Sequence, residues 1–391
     1  MKRLSWITAA LLVTGPALGA CGGESTAPTS SGENGDARAL AVDSSDEACD
    51  LSATEAPAGT LSFDVTNSGT QVTEFYLLAE DGLRVVAEVE NVGPSITRAL
   101  VANVPAGSYV TACKPGMTGD GIRSDFTVTA SDEAVEVSTD EDGLIRAAQA
   151  NYAAYVQDQS DQLLVKTREF VGRYEAGDDD GARALYADAR THWERIETVA
   201  ESFGDLDPRM DAREADLEPG QEWTGWHLLE KDLWPARATD YTPLTSAERE
   251  TYAQDLLANT VTLDGRLQEL TFTVDQIANG SRGLLEEVAT GKVTGEEEYW
   301  SRTDLWDFQA NIDGARVGFD GVAPLLETKD PELAAQLTDR FDELQVLLDA
   351  QRTADGFRYY DELSADEVKA LSDAVNALSE PLSRLTAAVL S

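Results

Sequence analysis

Apolar and polar positions alternate in short runs across residues 41–130, and from about residue 143 the apolar positions recur at three- and four-residue steps to the end of the chain. In Leu61-Ser62-Phe63-Asp64-Val65-Thr66 every second side chain is apolar, the period of a strand with one buried face. Further strands are predicted at 72–78, 83–89, 96–104, 108–113 and 126–129. The turn residues Asn67-Ser68-Gly69, Asp81-Gly82, Gly93-Pro94 and Pro105-Ala106-Gly107 separate them. Regularly punctuated short strands over this length predict a small β-sandwich. In the second half Leu185, Ala189, Ile196, Val199, Ala200 and Phe203 mark one helical stripe. Similar patterns cover 148–176, 246–273, 275–290, 296–326, 331–352 and 364–390, predicting a bundle of seven or eight helices. The fold class expected is therefore multidomain, β followed by all-α.

The first twenty residues break both patterns. Met1, Lys2 and Arg3 make a basic start, and an apolar stretch interrupted by Gly15 and Pro16 runs to Leu18. That is shorter than the roughly 20 apolar residues of a membrane span and reads as a signal peptide. It ends in Leu18-Gly19-Ala20-Cys21, similar to a bacterial lipobox. The resemblance implies cleavage before Cys21, lipid on its thiol, and a protein exported and held at the cell membrane, facing the periplasm or the cell exterior. Residues 21–40, rich in Gly, Ser, Thr, Ala and Pro, predict a flexible tether. The expected order is signal peptide 1–20, tether 21–40, β domain 41–130, acidic linker 131–142 and helical bundle 143–391.

Charge narrows the function. Thirty basic against 72 acidic side chains give a net charge of −42, which argues against nucleic acid as a partner and suits cations. Only two histidines are present, His192 and His227, so chemistry needing two or three imidazoles in one place is hard to build.

His227 stands in Gly225-Trp226-His227-Leu228-Leu229-Glu230-Lys231, three residues before Glu230 and therefore on the same helical face. An imidazole and a carboxylate so placed can reach one ion, and the surrounding Trp223, Trp226, Leu229, Leu233 and Trp234 demand that a charged pair there be partnered. Upstream, Glu194, Glu197 and Glu201 share a face and Asp207 and Asp211 follow. In so acidic a chain such a stripe is more often a solvated face. His192 is expected to be a surface or packing residue. A zinc metallopeptidase of the usual kind needs a second His near Glu230, where Lys231 stands instead. One His with several carboxylates is an oxygen-rich set that fits ferric or ferrous iron, with calcium and zinc also compatible.

The strings ALYADARTHWERIETVAESFGDLDPRMDAREAD, WTGWHLLEKDLW and YWSRTDLWDFQANIDGA resemble the imelysin-type helical domain, and the first half resembles a cupredoxin-like β domain. Joined in this order behind an export signal, they resemble the EfeO-type family of iron-uptake lipoproteins over residues 41–391. The resemblance implies iron capture without bond-breaking chemistry and delivery to an iron permease in the membrane. A haem peroxidase of the same system is an implied partner. It maps the helical-domain metal site to His227, Glu230, Glu197 and Asp211, and a second β-domain site to Cys49, Glu74 and Cys113, with Glu88 or Glu90 beside them. Competing readings are an imelysin-type zinc peptidase and a polysaccharide-binding lipoprotein.

The β half has no histidine, so a blue-copper site of two His and one Cys cannot be assembled there. Other copper, zinc or calcium chemistry stays open. With Cys21 lipidated, Cys49 and Cys113 remain as an even pair in an oxidising compartment, where a disulfide competes with metal thiolates.

Overall fold

The computed structural model describes residues 37–391, apart from 84, 118–120, 132–139, 201–202, 204, 218–219 and 221. The expected signal peptide, Cys21 and most of the tether and of the acidic linker lie outside the described residues. Residues 37–391 form one compact unit.

Nine strands build the first half: β1 Ala39–Ser44, β2 Cys49–Leu51, β3 Glu55–Pro57, β4 Gly59–Asn67, β5 Thr73–Ala79, β6 Val85–Val92, β7 Thr97–Val104, β8 Gly107–Cys113 and β9 Ile122–Thr129. They make two sheets, ordered β2-β1-β4-β7 and β3-β9-β8-β5-β6. The six strands expected from alternation are all present. The first three were not anticipated, and β1 begins inside the stretch expected to be tether. It lies parallel to β4, Ala39 opposite Ser62 through Ser44 opposite Asn67, so Leu40 and Val42 reach the core between the sheets. Phe63 centres that core, 5.3 Å from Phe75 and 5.8 Å from Phe126 between ring centroids.

Eight helices of two turns or more follow among the described residues: α1 Glu141–Glu175, α2 Asp179–Glu194, α5 Trp226–Leu233, α6 Ser246–Leu267, α7 Val274–Thr290, α8 Asp304–Lys329, α9 Pro331–Asp349 and α10 Ala365–Leu382. The short α3 Glu197–Ala200, α4 Asp207–Met210 and α11 Leu385–Leu390 lie between or after them. A two-residue hairpin pair, β10 Arg352–Thr353 and β11 Gly356–Phe357, sits between α9 and α10. Residues 296–303, expected to be helical, are a loop. Backbone N–H groups of Trp300 and Ser301 donate to the Glu230 carboxylate at 2.8 and 2.5 Å, and Arg302 takes a left-handed φ of 68°, which a helix cannot absorb. The stripe 185–203 is likewise broken, because Asn311 of α8 donates to the Glu194 carbonyl at 2.7 Å and Gly314 lets α8 approach the Arg195 carbonyl.

The two halves share a buried boundary. Strand β5 is buried along its whole length: Phe75 and Leu77 face the sandwich core, while Tyr76 and Leu78 pack with Val85, Ala112 and Ala154 of α1. Lys114, just after β8, forms a fully buried ion pair with Asp158 of α1 and lies 4.7 Å from the Tyr76 ring centroid.

Candidate metal centre

Helix α5 carries the His-x-x-Glu pair into the bundle interior. It starts at Gly225, whose φ is 89° and where a Cβ would lie 2.2 Å from the Met210 carbonyl oxygen. Only glycine allows the α5 N-terminus to rest on the end of α4, and this brings His227 against Asp211. His227 and Glu230 have no exposed surface. The imidazole Nδ1 is 3.4 Å from Glu230 Oε2, and Nε2 is 3.5 Å from Asp211 Oδ1 and 3.6 Å from Glu297 Oε1. Nε2 makes no hydrogen bond, although it is buried among acceptors. The other Glu230 oxygen is held by the loop N–H groups described above, so the carboxylate is fixed from behind.

Around this pair lie Glu194, Glu197, Asp211, Glu297, Glu298 and Asp307, all buried. Trp193 donates its indole N–H to Asp211 Oδ2 at 2.8 Å, and Ser301 donates to Glu298 Oε2 at 2.9 Å. Lys292 bridges Glu194 at 3.0 Å and Glu197 at 2.9 Å. The Arg190 guanidinium is ion-paired with Asp211, Glu194, Glu298 and Asp307. Three sets of donor atoms each fall within 4.8 Å: Asp211, His227 and Glu297; His227, Glu230 and Glu298; and Glu194, Glu197, Asp211 and Glu297.

The electrostatics follow from burying more carboxylates than cations. Burial raises the Glu197 carboxyl well above its ordinary range, with Glu194 adding to it. Burial likewise raises Glu298, helped by Glu230, and Asp307, beside Glu194 and Glu298. Glu297 is depressed despite burial, because Lys292 and His227 face it. Burial and Arg190 work against the His227 imidazolium, but Glu230, Glu297 and Asp211 outweigh them and raise it to about 10. The surrounding carboxylates thus favour positive charge at the ring nitrogens. A cleft of about 490 Å³, lined by Arg213, Asp216, His227, Glu296, Glu297 and Trp300, opens onto this group.

The structure brings together the four residues expected here. His227, Glu230 and Asp211 adjoin directly, and Glu197 belongs to the neighbouring set through Asp211. The Glu stripe is not a solvated face: Glu194 and Glu197 are buried, while Glu201 lies outside the described residues. His192 is the packing histidine, buried with Nδ1 2.9 Å from Gln159 Oε1. The expectation missed Glu297 and Glu298, which sit in the segment misread as helix. It also missed Arg190 and Lys292. A usable signal was present for Arg190, which shares the face of Tyr186, Ala189 and Trp193, a charge at a core position.

The β-domain site requires correction. Cys49 and Cys113 are joined in a disulfide, which removes both thiolates as ligands. Cys113 is in the sandwich core opposite Phe75, whereas Glu74 accepts from the Tyr76 hydroxyl at 3.0 Å on the face toward α1. The pleat puts these side chains on opposite faces of the sheet. Glu74 instead joins Glu88, Asp161 and Asp264 around a cleft of about 410 Å³. The Glu90 side chain lies outside the described residues.

Residues 148–385 match the model of the imelysin family, which also carries a peptidase label. The chain is 36% identical over 346 residues to the iron uptake system component EfeO of Escherichia coli strain K12, covering 87% of this chain and 88% of that one. The proteins of the same name from Shigella flexneri and Shigella sonnei match to the same extent.

Proposed function

The chain belongs to the imelysin family, among its EfeO-type iron uptake components, and from that premise we propose that it captures iron at His227, Glu230, Asp211 and Glu197, with Glu194, Glu297 and Glu298 completing the donor set. The observation that carries this reading is the buried, hydrogen-bond-free Nε2 of His227, aimed at Asp211 and Glu297. Nε2 meets Asp211 and Glu297 only at 3.5 and 3.6 Å, longer than a hydrogen bond, and a hard cation seated between these atoms would engage all three while neutralising the surplus carboxylates. The 490 Å³ cleft is the entry path. Among the described residues no helix is long and apolar enough to cross a membrane. Lipid on Cys21 would anchor the exported chain beside a permease that receives the iron, with a haem peroxidase as a further partner. The Cys49–Cys113 disulfide suits that oxidising location.

Titration of the mature protein with ferrous iron under anaerobic conditions, and with ferric iron in air, tests the site beside His227→Ala. Loss of a residue that merely orients a metal ligand costs about 10–100-fold in metal affinity, so removal of the imidazole should cost at least that much. Unchanged affinity refutes the assignment. The peptidase label of the family favours one competing reading. Against it, one Glu230 oxygen is already occupied by two backbone N–H groups. Hydrolysis of a peptide library that disappears in Glu230→Gln would establish that reading instead.

A further inference from the structure

Arg190 has no exposed surface, yet it lies among carboxylates that a metal centre would use. Its guanidinium pairs with Glu194 and Asp211, reaches Glu298 at 2.5 Å and Asp307 at 3.2 Å, and has Glu297 at 3.9 Å. Three of these, Asp211, Glu297 and Glu298, also belong to donor sets that contain His227. The guanidinium and the ion expected at His227 therefore share carboxylates, with Asp211 Oδ1 and Glu298 Oε1 each facing both Arg190 and the imidazole, much as two metal ions about 3.5–4 Å apart share their ligands. Behind Arg190, helix α8 presents Asp304, Asp307 and Asn311 on one face, and Asp304 Oδ2, Asp307 Oδ1 and Asn311 Oδ1 have no hydrogen-bond partner although buried. Of the three, Asp307 pairs with the Arg190 guanidinium through its other oxygen.

The geometry points to Arg190 as the occupant of a second cation position, which restricts this centre to a single metal ion. The inference rests on the metal-capture reading. A guanidinium stays charged at every pH the protein meets and is tethered to α2, so it fills that position permanently. A two-ion carboxylate centre activates water or dioxygen between its metals. A centre with one ion beside a fixed positive charge holds cargo without that chemistry, and the charge next to the ion favours its release.

Manganese(II) is a suitable probe, because a lone ion and an exchange-coupled pair differ in their electron paramagnetic resonance. Wild-type, His227→Ala and Arg190→Met mature chains are loaded, and bound metal is counted per chain. The wild type should show a lone-ion signal that His227→Ala loses, and Arg190→Met should bind one further ion and show a coupled pair. If the wild type has no His227-dependent ion, the capture reading itself fails. If it has one and Arg190→Met gains none, this inference alone is overturned. Should Arg190→Met fold poorly, it is refolded in excess manganese. Recovery with the additional ion supports the proposal, and recovery without it, or no recovery, overturns it, since a metal must be able to take the guanidinium's place.

Discussion

Replacing Lys114 with Met should loosen the β half from the bundle. Lys114 and Asp158 are 2% and 3% exposed in their side chains, so water cannot take over from either partner. Asp158 Oδ2 keeps the side-chain amides of Gln159 and Gln162 at 3.0 and 2.8 Å, whereas Oδ1 loses the ammonium. Stranding one member of a buried pair costs about 3–5 kcal/mol, and the two retained amides argue for the lower end. Loss of the ammonium over the Tyr76 ring adds up to about 1 kcal/mol. Met matches the lysine stem in length, so no cavity term is added. The expected total is roughly 3–4 kcal/mol, a large share of typical domain stability. Urea unfolding measures it, with far-UV circular dichroism for the whole chain and tryptophan fluorescence for the bundle, since every tryptophan from residue 37 onward lies between Trp193 and Trp306. The two transitions should separate in Lys114→Met. Adding Asp158→Asn removes the stranded charge and should recover at least about half the loss, a coupling that double-mutant analysis reads directly. A loss below about 1 kcal/mol in Lys114→Met, or no recovery in the double variant, would refute this account of the boundary.

Asp161 should make stability pH-dependent. Burial, then repulsion from Asp264, raises its folded-state value to about 7, so ionisation opposes folding; the penalty is absent below about pH 4 and complete above about 7. Asp161→Asn should therefore stabilise the protein by about 1–2 kcal/mol at pH 8, after allowance for solvent screening, and by nothing at pH 4; equal unfolding shifts at both pH values would contradict it. Gly225→Ala should lower stability by about 2–4 kcal/mol through strained φ and collision with the Met210 carbonyl, with iron affinity falling alongside, whereas the exposed Gly265→Ala in α6 should leave affinity unchanged. Reduction of the Cys49–Cys113 bridge, which spans 64 residues, should cost about 3–4 kcal/mol in urea unfolding without altering iron binding at His227. A matching loss of iron there would show that the cysteines serve that centre.

Periodicity alone determined the division of the chain, six of the nine sandwich strands and the helical character of the second half, because a half-buried strand or helix writes its own repeat into the side chains. It also singled out His227 and Glu230, whose three-residue spacing is a local property of one helix. Strands β1 and β3 escaped because they are held by β4 and β9, distant in sequence, and β2, three residues paired with β1, is too short to show a period. The loop at 296–303 was misread because its conformation is set by Glu230, some 70 residues earlier, and by Arg302. Whether Glu194 and Glu197 face solvent or a buried centre was likewise undecidable from their spacing. Only tertiary packing supplied Lys292 and α8 on the other side. The cysteines show the same division: composition left disulfide and thiolate ligands open, and the sheet register closed the question by seating Cys113 in the sandwich core while turning Glu74 toward α1. A sequence records what each element buries. Which charges meet inside is decided by elements that come together only in the folded chain.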